Sequence, residues 1–161
     1  KNLIDLDFSV KKNIQILSEA KNVEPKKLTA CLLKRPRHDK IAKILNEMGV
    51  KINFITDGDV SGVISVADSK TTIDVYIGIG GGPEGVLAAA ALKCLGCQMQ
   101  TRLVLSDEEE VNRAKKLGIT DLKKKYNIRH GLNTLHFLYA HRCAEKRKFF
   151  PRFNIFHISS N

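Results

Sequence analysis

One stretch limits the fold more than any other. The apolar run Ile73-Asp74-Val75-Tyr76-Ile77-Gly78-Ile79 leads into Gly80-Gly81-Gly82-Pro83-Glu84-Gly85, and then into Val86-Leu87-Ala88-Ala89-Ala90-Ala91-Leu92-Lys93-Cys94-Leu95. The first part has strand composition, and the last, rich in Ala and Leu, has helix composition. The glycines between them offer bare backbone N–H groups followed by a helix N-terminus, which suits a phosphate or another anion. A bland alternative is a tight turn that lets helix and strand pack closely. Pro83 fits the first helical position, where its missing N–H is not needed. Gly78-x-Gly80 followed by Pro83 is not a dinucleotide fingerprint, and Gly85-Val86 is not a Walker loop. Glu84 falls in the first helical turn, where its charge suits the helix dipole; a carboxylate there can also ligate a divalent metal.

The rest of the chain repeats the alternation. Ser9 reads as an N-cap for a helix over 10–20 with Val10, Ile14 and Leu17 on one stripe. Residues 28–33, 51–56 and 101–105 have strand composition, and 39–48 has helical spacing ending at Gly49. A short helix is expected over 60–67. Ser106-Asp107-Glu108-Glu109 reads as a capping box with Ser106 at the N-cap and Glu109 at N3, opening a helix that ends near Leu117-Gly118. The expected fold class is therefore α/β, a mostly parallel sheet flanked by helices, with strands buried on both faces.

Charge divides the chain. The net charge of +10 splits evenly, with +5 in residues 1–128 and +5 in the last 33 residues. Residues 129–161 also hold four of the five His and six of the ten aromatics. The body, 1–128, and the basic aromatic tail, 129–161, are two compositional regions. No run of 18 apolar residues exists, so no membrane span is expected. The chain starts at Lys1 with no basic-then-apolar leader, which reads as a trimmed or partial chain. Four cysteines without a leader suggest a reducing cytoplasm, and Cys94-x-x-Cys97 lacks the second pair a zinc site wants.

Three strands end in chemistry-bearing segments, and in an open parallel sheet such ends share one edge. Arg35-Pro36-Arg37 places two guanidiniums on a stiffened turn that suits phosphate or is simply a solvated basic loop, and His38 reads as a helix-start residue. Asp57-Gly58-Asp59 sets two carboxylates beside a flexible glycine, to hold metal, to accept from sugar hydroxyls, or simply to form a turn and cap. That triplet also looks like the Asp-x-Asp of haloacid-dehalogenase phosphatases. Ser61 stands where that family wants Thr or Val, and a later acidic pair is missing.

In order and spacing, Lys34-Arg35-Pro36-Arg37-His38, Asp57-Gly58-Asp59-Val60 and Gly78 through Ala90 closely resemble class II fructose-1,6-bisphosphatase. Asp5-Leu6-Asp7 and Gly118-Ile119-Thr120-Asp121-Leu122 look like family segments too, so the resemblance covers roughly 5–128. It implies a layered α/β sugar-phosphatase fold. It also implies metal-dependent removal of the 1-phosphate of fructose 1,6-bisphosphate, with Mn²⁺ or Mg²⁺, in cytoplasmic gluconeogenesis and glycerol metabolism. Some members also accept sedoheptulose 1,7-bisphosphate, and a homo-oligomer is expected of the full-length family. Carried onto this chain, the resemblance makes Glu84 a metal ligand. It makes Arg35, Pro36, Arg37, Asp57, Gly58, Asp59 and Gly81 substrate contacts. It assigns no catalytic residue, and the implied chemistry is attack by water without a covalent intermediate.

Two departures shape the expectation. The family's upstream segment, which carries most of its metal-binding carboxylates, is absent here, so the chain alone is expected to show little or no phosphatase activity. The family pattern also stops near residue 128, and the tail reads either as a frame-shifted, poorly ordered extension or as a divergent C-terminus. The competing functions are a noncatalytic phosphosugar-binding remnant and nucleic-acid binding through the tail. The second is disfavoured, because the tail matches no RNP-like or KH-like pattern.

Overall fold

Alternate residues of two central strands divide the core into two halves. In the computed structural model, which describes residues 3–128 and the backbone of 152–158, strands β1 (Thr29–Leu33), β2 (Lys51–Ile55) and β3 (Val75–Gly81) pair in parallel. Ala30, Leu32, Val75 and Ile77 pack on one face, with Ile14 and Leu17 of α1 (Val10–Lys21) and Leu45 of α2 (Asp39–Glu47). Cys31 and Tyr76 point the other way, onto Val63 of α3 (Asp59–Ser65) and Ala88, Ala89 and Leu92 of α4 (Gly82–Cys94). This is the period-two geometry of a strand covered by helices on both sides, and it gives a three-layer α/β/α arrangement.

Strands β4 (Gln98–Val104), β5 (Tyr126–Asn127) and β6 (Arg152–Ile158) complete a sheet of order β2-β1-β3-β6-β4-β5. The α/β class holds, with its parallel run in β2-β1-β3. The sequence patterning did not foresee β6, which enters antiparallel between β3 and β4. β5 is antiparallel to β4. The expected burial of every strand on both faces fails at β2. That strand is the sheet edge, and Phe54 is 47% exposed there. The distinct-tail expectation for 129–161 falls mostly on residues outside those described, and the described backbone places only Arg152–Ile158, in β6.

Local signals place most helices correctly. Ser9 caps α1 by accepting from the Lys12 N–H at 3.2 Å, and Gly49 follows α2 in the left-handed region at φ 75°. The capping box before α5 (Glu108–Lys116) is shifted by one residue. Asp107 is the N-cap and accepts from the Glu110 N–H at 2.8 Å, while the Glu110 carboxylate accepts from the Ser106 N–H at 2.6 Å. Asp and Ser cap about equally well, so composition alone could not fix the register.

The amino-terminal residues are tied to the far side of the sheet. Lys125 Nζ donates to both Asp5 oxygens at 2.6 and 2.8 Å and pairs with Asp7 at 2.6 Å. Arg102 of β4 also donates to Asp7, and the Leu6 N–H donates to Gln100 Oε1 at 3.0 Å. The Asp5-Leu6-Asp7 segment thus has a structural use in this chain. No helix among the described residues is long and apolar enough to cross a membrane.

Candidate functional site

The carboxyl ends of β1, β2 and β3 open onto one cleft of about 280 Å³. β1 continues into Arg35 and a short 3-10 turn over Pro36–His38. β2 continues into Asp57 and Gly58, and β3 runs directly into α4. Arg35, Arg37, Asp57, Gly58, Asp59, Gly81 and Glu84 all line the cleft, with Leu33 and Val60 as its apolar wall. Of the eight residues singled out from sequence, only Pro36 is not part of the lining; it sets the turn between the two arginines.

The glycine segment differs from its expected form. β3 extends to Gly81 and α4 starts at Gly82, so no separate loop exists at 80–85. Gly80 and Gly81 lie in the ladder with β6. Gly81 is the N-cap of α4, which moves Pro83 from the expected first helical position to the second, still among the positions whose N–H has no helical partner. Gly81 has φ −72°, an ordinary extended value, so the backbone does not require glycine there. A Cβ on Gly81 would, however, overlap Oε2 of Glu84, whose carboxylate folds back from the first turn of α4 over the strand end and would have to move aside.

Gly58, by contrast, is needed by the backbone. Its φ of 83° is left-handed, and it turns the chain from β2 into α3. Asp57 Oδ1 accepts from the Gly58 N–H at 2.8 Å, which steadies the turn. The first turn of α3 then presents Asp59 to the cleft.

Charges of both signs meet here. Burial raises the Asp59 carboxyl above its ordinary range, and the negative charges of Glu84 and Asp57 raise it further, partly opposed by Arg37. A carboxylate in this position gains from any cation or hydroxyl donor brought into the cleft. Among the described residues, no three His, Cys, Asp or Glu side chains stand close enough to hold one metal ion. The cleft therefore does not by itself make a metal centre, and Glu84 offers it a single carboxylate. Cys94 closes α4, and Cys97 follows three positions later, just before β4.

Sequence reasoning missed His38. It is the helix-start residue that its position suggested, the N-cap of α2, but it is also only 1% exposed, which the sequence did not show. Its Nδ1 lies 2.7 Å from the Leu33 carbonyl, and its Nε2 accepts from the Ile79 N–H at 2.9 Å. Arg37 Nε donates to the carbonyl of the same Ile79 at 2.9 Å. The only sequence signal was its place at the end of the basic turn, which does not distinguish a surface cap from a buried bridge.

The fold and the cleft define an α/β protein of the class that opens its site at the carboxyl edge of a parallel sheet. The chain belongs to the family described as bacterial fructose-1,6-bisphosphatase, glpX-encoded, whose family model matches residues 1–140. Three similar curated proteins bear the name D-fructose 1,6-bisphosphatase class 2/sedoheptulose 1,7-bisphosphatase. That of Trichodesmium erythraeum is 35% identical over 139 residues, covering 79% of this chain and 40% of that protein. That of Acaryochloris marina, numbered 2 in its name, is 36% identical over 138 residues, 78% of this chain and 40% of that protein. That of a Synechococcus species is 40% identical over 108 residues, 67% of this chain and 31% of that protein. The chain thus spans about 40% of the length of the first two relatives.

Proposed function

We propose that this chain is the phosphosugar-binding part of a metal-dependent sugar bisphosphatase acting on the 1-phosphate of fructose 1,6-bisphosphate, or on sedoheptulose 1,7-bisphosphate. The observation that carries the reading is the convergence of seven motif residues from three strand ends on one cleft. Arg35 and Arg37 would neutralise phosphate in planar, bidentate fashion. Asp57 and Asp59 would accept from sugar hydroxyls. Glu84 would be this chain's one donor to Mn²⁺ or Mg²⁺, and no catalytic step is assigned to the described residues. A cytoplasmic setting and a homo-oligomeric full-length enzyme belong to the same reading.

Calorimetric titration of the full chain with fructose 1,6-bisphosphate tests it. Saturable binding is expected, weakened about tenfold by Arg37→Lys, because an ammonium cannot hold the Ile79 carbonyl and a phosphate at once as the guanidinium can. No binding at millimolar ligand would sink the proposal.

A second reading, a noncatalytic phosphosugar-binding remnant, is favoured by the lack of a three-ligand set among the described residues. Phosphate release separates the two. Activity that needs Mn²⁺ or Mg²⁺ and is restored by supplying the upstream part of a relative supports the enzyme; binding that survives without any such restoration supports the remnant.

A further inference from the structure

We infer that His38 is a positioning residue that locks the Arg35–Arg37 turn onto β3, and so sets Arg37 against the strand end that carries Gly81 and Glu84. The inference rests on the proposed phosphosugar site and adds to it a residue outside the cleft lining. The pairing of β1 with β3 covers Ala30 and Cys31 of β1, opposite Val75 and Tyr76. Farther along β3, at Ile79, side chains from the turn replace the neighbouring strand. His38 Nε2 takes the Ile79 N–H at 2.9 Å, and Arg37 Nε donates to the Ile79 oxygen at 2.9 Å. Two consecutive turn residues thus satisfy both polar groups of one β3 residue, two positions before Gly81.

The hydrogen bonds settle the chemistry of the ring. A backbone N–H can only donate, so Nε2 must carry the lone pair, and Nδ1 then carries the proton it shares with the Leu33 oxygen at 2.7 Å. One neutral tautomer satisfies both ends. Leu33 is the last residue of β1 and Ile79 lies near the end of β3, so the ring spans the gap where the two strands part. At 1% exposure no solvent replaces either bond. Arg37, by contrast, is exposed and would be free to swing without its hold on Ile79.

The test compares two substitutions with the native protein, each in the full chain. Nitrogen-15 NMR of the native side chain should find His38 as the Nδ1–H tautomer; an Nε2–H tautomer at neutral pH overturns the inference. His38→Gln keeps one donor and one acceptor, and should keep fructose 1,6-bisphosphate affinity within about threefold, whereas His38→Leu should weaken it about tenfold or more at temperatures where circular dichroism shows it folded. Arg37 Nε–H exchange should speed up in His38→Leu and stay slow in His38→Gln. A folded His38→Leu with native Arg37 exchange overturns the inference. If the leucine variant does not fold, the native tautomer and the glutamine variant's Arg37 exchange still decide. If the native chain does not bind the bisphosphate, the functional reading fails, and the Arg37 exchange still decides whether His38 positions that side chain.

Discussion

The Glu84 carboxylate occupies the space that a side chain on Gly81 would fill. They stand three positions apart in sequence, and the strand-to-helix junction folds one back over the other at the mouth of the cleft. Gly81→Ala should therefore act through Glu84. Only the far end of a flexible side chain has to move, so the stability loss should stay near 1 kcal/mol or below. Bisphosphate binding in the presence of Mn²⁺ should weaken several-fold, while binding without metal changes less. Paired melting curves and titrations with and without Mn²⁺ check this. A variant that melts and binds like the native chain under both conditions would show that the overlap has no consequence.

Asp59 makes stability depend on pH with a definite sign. Burial first, then Glu84 and Asp57, hold its native carboxyl above the ordinary value of 3.8. Between 3.8 and the raised native value the folded chain binds more protons than the unfolded one, so this group's contribution falls as pH rises through that window. Asp59→Asn should melt higher than the native chain at pH 7, by under about 1 kcal/mol once solvent screening is counted. The gap should close at pH values below 3.8. The same substitution should weaken sugar binding, since an amide is a poorer acceptor for hydroxyls than a carboxylate. Melting temperatures of both proteins across pH 3 to 8, about five points, supply the comparison.

Gly58 and Gly96 separate backbone strain from crowding. Both are left-handed, at φ 83° and 70°. A Cβ at Gly58 would also sit 2.9 Å from Ser61 Oγ, whose hydroxyl donates to the Gly58 oxygen, while nothing lies within 4 Å of a Cβ at Gly96. Gly96→Ala should cost about 1 kcal/mol, from left-handed backbone alone. Gly58→Ala should cost more, about 2 kcal/mol, and should disturb Asp57 and Asp59 as well. Urea denaturation ranks the two, and equal costs would mean that Ser61 simply rotates away.

Lys125 should matter most for the acid limb of stability. At Asp5, burial pushes the carboxyl up, but the hydrogen bond from Lys125 and its charge win, and the native value lies below 3.8. Asp7 is lowered too, chiefly by hydrogen bonds from Lys125 and Arg102. Depressed carboxyls contribute stability above 3.8, and it is lost as pH falls through their native values. Lys125→Met should lower the melting temperature at pH 7 and change it almost not at all at strongly acid pH. A constant difference from pH 2 to 7 would assign the loss to packing instead.

Much of this fold was legible in order along the chain. Ser9, Gly49 and the glycine run marked helix ends and the strand-to-helix junction because caps and left-handed turns act within a few residues. The cleft was legible because parallel strands put their carboxyl ends on one edge, so Arg35, Arg37, Asp57, Asp59 and Glu84 could be grouped without knowing a single distance. The register of the α5 cap was not legible, since Ser106 and Asp107 are near-equal acceptors and only the packed helix selects one.

By itself, then, the sequence determined the alternation of elements and which residue types meet at the sheet edge, because periodicity and turn chemistry are local. Tertiary structure decided what depends on contacts distant in sequence. It placed β6 antiparallel between β3 and β4, left Phe54 exposed on an edge strand, and folded Glu84 over Gly81. It also made His38, the N-cap of α2, a buried bridge between Leu33 and Ile79, 41 positions from the second of them. A hydrogen bond across that separation exists only once two strands lie side by side, and no local pattern announces it.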